Sequence, residues 1–226
     1  VDWEFAGTLG ARLTRPGPPA TDYTRRQAVD ELARASRAAE APVRDVTGLS
    51  PDAPVPDARI VDRQEWVIAA SDSMRLMTGG AEGSGSRITG RVAGAQTGAV
   101  LAFISSGILG QYDPFAGPDG GCLLLVYPNV IAVERQLRLS PSDFRLWVCL
   151  HEVTHRVQFT ANPWLSQHMS RAIGVLTSDS GDVGQIVSGL ASFVKDRRAA
   201  PADAHSSGVL GLLRAMQAEP QRRALD

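Results

Sequence analysis

Apolar positions recur at helical spacing along much of the chain. Trp3, Phe5, Leu9 and Leu13 mark a first helix, which "RPGPPATDY" breaks at Pro16 to Pro19. A second helix, rich in Ala, Arg and Glu, is predicted from about Tyr23 to Val46 and stops near Gly48. "LSPDAPVPDA" is a proline-rich connector and "ARIVD" a short strand. Asp62 then caps a helix carrying Trp66, Ala69, Ala70, Ser73 and Met77 on one face. The Gly-rich run Thr78 to Gly90 has the composition of a flexible connector. After it, "AGAQTGAVLAFISSGILGQY" is an apolar segment of helix length whose small residues let backbones approach closely. "CLLLVYPN", Cys122 to Asn129, is the strongest strand, a branched apolar run closed by Pro128.

The pattern is interrupted in "LWVCLHEVTHRVQF", Leu146 to Phe159, where two histidines and a glutamate stand in an apolar run. Ser140 is placed to cap this helix, Pro141 to take its first position, and Asp143 to favour the dipole of the first turn. The helix is predicted to reach about Thr160, because Asn162 and Pro163 repeat the cap-then-proline signal and launch "PWLSQHMSRAIGVL". Trp147, Val148, Leu150, Val153, Val157 and Phe159 make it apolar around most of its circumference. The three polar residues are therefore expected to be buried, where an unpaired group costs on the order of 1–3 kcal/mol.

Residues four apart share a helix face, so His151 and His155 present two imidazoles to one point, the spacing a single metal ion needs. Glu152, turned by about 100°, stands beside such an ion rather than among its ligands. The HExxH pattern is the zincin signature: neutral imidazoles bind Zn²⁺ and the glutamate serves an activated water. Two structural readings compete with it. In one, the histidines are core residues and Glu152 pairs with an arginine such as Arg156. In the other, a structural zinc takes four ligands, usually with cysteine, although Cys149 points to a different face.

A third ligand is not evident. HExxHxxGxxH would need glycine at Gln158 and histidine at Ala161, and the only later glutamate is Glu219. His168 could face His155 if the helices fold back about Asn162; His205, Asp179 and Asp182 lie in loop-like sequence.

Composition narrows the function classes. With 226 residues, 43% of them hydrophobic, the chain can bury a core of enzyme size. A net charge of -1 gives no general attraction to nucleic acid or anionic lipid, so neither is expected as a partner. Lys195, the single lysine, lies in "FVKDRR", which excludes a phosphate-cradling GxxxxGK[ST] loop. Cys122 and Cys149 lack CxxC spacing and read as free buried thiols. No apolar segment approaches the roughly 20 residues of a membrane span, and "VDWEFAGTLGARL" lacks the plan of a signal peptide. A soluble, cytoplasmic protein is expected.

Taken together, "VDWEFA", "VAGAQTGAVLAF", "LGQYDPF", "LLLVYPNVIAVERQL" and "HEVTHRVQF" followed by "PWL" resemble an uncharacterised zincin-like metallopeptidase family associated with deazaflavin coenzyme biosynthesis. The resemblance implies an α+β, predominantly helical fold with a small sheet next to the HExxH helix, and His151, Glu152 and His155 at the active centre. It also implies one zincin-like domain over 1–226, incomplete at its C-terminal end. A helical part would cover 1–80, and the sheet, the HExxH helix and the following helices 92–226. The family's distal helix, reading like "EGHxxxVMD", carries an acidic residue resembling a gluzincin-type third ligand and has no counterpart here.

These readings converge on a zinc-dependent metallopeptidase or hydrolase. His151 and His155 would hold Zn²⁺, and Glu152 would be the general base for a metal-activated water. The strand at Cys122 to Tyr127 is the candidate edge for an extended peptide. Tyr112 either assists the oxyanion or anchors the turn before Pro114. The alternatives are a non-catalytic zincin-fold scaffold or binding protein, and an amidohydrolase acting on a small amide.

Overall fold

The computed structural model describes residues 1–50, 56–78, 87–116 and 121–178. In chain order its elements are α1 (Trp3–Leu13), α2 (Asp22–Ala38), α3 (Glu40–Thr47), β1 (Arg59–Val61), α4 (Arg63–Met77), α5 (Arg87–Ile104), β2 (Gly110–Asp113), β3 (Cys122–Val126), α6 (Tyr127–Leu137), α7 (Pro141–Ala161) and α8 (Trp164–Ser178). The residues up to Gly174 form one compact unit, to which the description below refers. The fold is α+β and predominantly helical, with a small sheet, as predicted. None of the described helices is long and apolar enough to cross a membrane.

The sheet has the order β1-β3-β2. Strand β1 runs parallel to β3, with Arg59 opposite Leu124; β2 runs antiparallel, with Gly110 opposite Leu125. β3 is apolar at every position because both its faces are covered. Leu123 and Leu125 face a core built with Leu32, Val130, Val148, Val153 and Val157, which brings α2, α6 and α7 to that side. Leu124 and Val126 face the opposite way, onto Val61, Trp66, Val67, Ala70 and Leu101 of β1, α4 and α5.

On that second side, α1 and α5 meet through glycine. A Cβ on Gly98 would stand 2.5 Å from the Ala6 carbonyl oxygen, and one on Gly10 would stand 2.8 Å from the Gly98 carbonyl oxygen. The buried face of α1 is accordingly Ala6, Gly7 and Gly10, whereas Leu13 is half exposed. Close backbone approach is what the small residues were expected to permit.

Several predicted boundaries moved, each for a local reason. The helix expected over 23–46 is two helices, because Pro42 has no N–H for the Ala38 carbonyl and its ring crowds that oxygen. Gly48 ends the second of them at φ 66°. Residues 87–90 of the expected Gly-rich connector are the first turn of α5. That helix ends at Ile104, and Gly110 to Asp113, expected as a helix end, pair with β3 instead. The strand expected to Asn129 stops at Val126, since Pro128 lies in the first turn of α6. The edge assignment is also corrected: β3 is bonded on both sides, and among the described residues the outer strand beside α7 is β2.

Candidate metal centre

Helix α7 has two unlike faces. Arg145, Val148, Cys149, Glu152, Val153, Arg156 and Val157 are buried. Trp147, His151 and His155, spaced four apart, are exposed. Burial of all three polar residues was expected; only Glu152 is buried, because the apolar residues around the helix include an exposed Trp147 and Leu146 on the solvent side. The boundaries are where the sequence put them. Pro141 takes the first position and Asn162 caps the end, its N–H donating to the Phe159 carbonyl. The Ser140 hydroxyl, however, makes no cap bond and lies 3.2 Å from that of Ser142.

Two buried guanidiniums fasten the helix. Arg145 makes two parallel bonds to Glu134 of α6, at 2.6 and 2.9 Å, and a third to Glu31 of α2. Three turns on, Arg156 donates to Glu40 of α3 at 2.6 Å and to the Pro56 carbonyl at 3.1 Å. Glu152 is thus not paired with Arg156, and no hydrogen bond or ion pair to its carboxyl is found among the described residues. Cys149 is fully buried against the Leu32 carbonyl, and burial, followed by the charge of Glu152, pushes its thiol up to about 12. A neutral thiol turned into the core is no metal ligand.

The two imidazoles stand side by side. Their ring centroids are 4.9 Å apart, edge to face, and His151 stacks on Trp147, which stacks on Phe144. Partial burial, and then the neighbouring His151, lower the pKa of His155, which favours the neutral form a metal requires. Two adjacent imidazoles are of the donor type that could take two of the four positions of a zinc shell. No third His, Cys, Asp or Glu gathers with them among the described residues. His168 does not join them: it is exposed on α8, with its ring 6.0 Å from that of Trp164. His205, Asp179, Asp182 and Glu219 lie outside the described residues.

Glu152 leaves the histidine face and runs to the edge strand. A Cβ on Gly110 would be 2.6 Å from Glu152 Cγ and 2.8 Å from Cδ, so the carboxyl lies against the bare backbone of β2. Burial pushes its pKa up to about 7. Sequence reasoning missed Gly110, although a glycine inside a strand is a signal for close approach. Tyr112, two residues on, points to the same side of β2 but packs in the core, with its ring tilted against Phe159 at 5.7 Å. It fills the space beside Gly121, whose φ of 124° and lack of a side chain admit the ring.

Comparison with known proteins gives two matches. A crystal structure from Chloroflexus aurantiacus, of a protein assigned as a candidate hydrolase with a novel fold, superposes with a TM-score of 0.59 at 28% identity, covering 99% of this chain and 76% of that one. No curated protein matches the sequence. The pattern that defines the zincin-like metallopeptidases matches residues 1–226, and the chain belongs to that family.

Proposed function

We propose that the protein is a zinc-dependent metallopeptidase whose metal is held by His151 and His155 and whose general base is Glu152. The observation that carries the proposal is the division of α7: two imidazoles 4.9 Å apart face solvent while the carboxyl between them in sequence is sunk against β2. Zinc bound there would supply Lewis acidity and a water ionising near pH 7. Glu152 takes the proton of the attacking water and returns it to the leaving nitrogen. Its buried setting suits that task, since a carboxyl raised to about 7 accepts a proton more readily than an exposed one. Trp147, stacked on His151, holds that ring in plane.

The surroundings favour an extended peptide as the substrate. The histidines are exposed rather than enclosed, and β2 is an outer strand of the sheet among the described residues, in contact with α7. An extended peptide can add to that edge by backbone hydrogen bonds. A small amide would leave most of that edge unused.

The missing third donor among the described residues favours a second reading, a zincin-fold binding protein without turnover. Zinc content and peptide cleavage, measured on the native chain and on Glu152→Ala, separate the two. Stoichiometric zinc with cleavage that Glu152→Ala abolishes is expected. Zinc without Glu152-dependent cleavage leaves the binding protein, and absence of zinc after chelator-free purification refutes both metal assignments.

A further inference from the structure

The proline-rich segment between α1 and α2 is fastened more firmly than a passive link needs. Arg63, the first residue of α4, donates from Nη1 to the carbonyls of Arg15 (3.0 Å) and Pro16 (2.8 Å). Arg135 of α6 donates to the Pro19 carbonyl at 2.5 Å. Gly17 rests on α6, where a Cβ would stand 2.8 Å from that of Pro128. Pro16, Pro18 and Pro19 fix φ along the segment. The result is a stiff wall that faces the starts of α4 and α6 across a cleft of about 420 Å³.

Charge in this cleft is unbalanced. Its lining carries Arg15, Arg25 and Arg63 against one acid, Asp62. Asp62 is engaged in capping α4, accepting from the Glu65 N–H at 2.9 Å, and Arg25 is paired with Asp22 at 2.9 Å. Arg63 is 9% exposed, and its remaining bond, from Nε to Asn129 Oδ1 at 2.6 Å, also goes to a neutral oxygen. Among the described residues, neither Arg63 nor Arg15 forms an ion pair with a carboxylate. A buried cation is ordinarily paired, because its desolvation costs several kcal/mol. Here two guanidiniums stand within each other's field, and burial and Arg15 together lower the proton affinity of Arg63.

We propose that this cleft binds a small oxyanion, the carboxylate or phosphate monoester of a ligand. Arg63 and Arg15 would supply the counter-charge, and Gln64 and Tyr127, at the starts of α4 and α6, would offer polar contacts. Guanidinium groups match the paired oxygens of both anions, and the volume suits a small molecule. No residue of α7 lines the cleft, so the site stands apart from His151 and His155 and does not depend on the metal reading.

The test titrates the full chain with sodium phosphate and, separately, sodium acetate, against sodium chloride at matched ionic strength, by calorimetry and thermal shift. A saturable response to phosphate or acetate, absent with chloride, is expected, and the anion that responds identifies the ligand's charged group. Arg15→Gln should weaken that binding at least tenfold without lowering the ligand-free melting temperature, since the fold uses only the Arg15 backbone carbonyl and the like charge facing Arg63 is removed. Arg63→Lys, which keeps the charge but loses Nη2 and the bonds that hold the proline segment, should weaken it as well. No saturable response to either anion, or one undiminished in Arg15→Gln, overturns the proposal.

Discussion

Replacing Gly110 by alanine tests whether the edge strand sets the position of Glu152. The added methyl would meet Cγ at 2.6 Å, Cδ at 2.8 Å and Leu125 Cδ2 at 3.0 Å. Ordinary contact begins near 3.4 Å, so the Glu152 side chain must retreat by roughly 0.8 Å or the strand must yield. Leu125 is fully buried in the sheet's central strand and has no free direction to move, so the displacement falls on Glu152. Overpacking of this size costs about 1–3 kcal/mol of stability, and misplacing a catalytic group by about 1 Å costs on the order of 100-fold in rate. Chemical denaturation measures the first. Peptide turnover by zinc-loaded protein, beside zinc affinity from competition with a chromophoric chelator, measures the second. Turnover should fall by about 100-fold with zinc affinity unchanged, and the loss should not add to that of Glu152→Ala. Native turnover in a folded Gly110→Ala protein would refute the argument, as would a loss that adds fully to Glu152→Ala.

Three further outcomes follow from α7 and its partners. Arg145→Met leaves Glu134, itself 5% exposed, without its cation and should destabilise the protein by about 3–5 kcal/mol in urea unfolding, a loss that Glu134→Leu in the same chain should partly recover. His155→Ala should weaken zinc binding by more than about 100-fold, read by equilibrium dialysis, while changing metal-free stability by less than about 0.5 kcal/mol, because the side chain is exposed. Burial acts to raise the Glu31 carboxyl, but the Gln27 bond and the charge of Arg145 outweigh it and hold its pKa below the ordinary 4.5. The stability it contributes is therefore complete above pH 4.5 and lost as pH falls through its lowered value, so Glu31→Gln should flatten the acid limb of the stability curve.

What could be read in the sequence was what local chemistry decides. Pro141 and the Asn162–Pro163 pair fix the ends of α7 without help from the rest of the fold, and the four-residue spacing of His151 and His155 fixes their shared face. Asp62 likewise announces α4, where the structure adds the second bond of a capping box, from the Asp62 N–H to Glu65. Exposure was not legible, because it depends on which neighbours arrive. Trp147 belongs by hydropathy to a core, yet it faces solvent as the stacking partner of His151. Edge status was hidden for the same reason: "CLLLV" looks like any buried strand until its two partners, from distant segments, are known. Other misses were local and avoidable, since Pro42 and Pro128 carried the split of α2 from α3 and the start of α6.

The two guanidiniums that fasten α7 have a consequence for how this protein tolerates change. Arg145 and Arg156 tie the buried side of the helix to α2, α3 and α6, and neither contact uses a residue of the histidine face. Stability and chemistry are thus written on opposite sides of one helix, with only Glu152 belonging to both. Substitutions on the solvent side can alter or erase the proposed metal site while the architecture persists, so folding and the proposed activity can be lost independently.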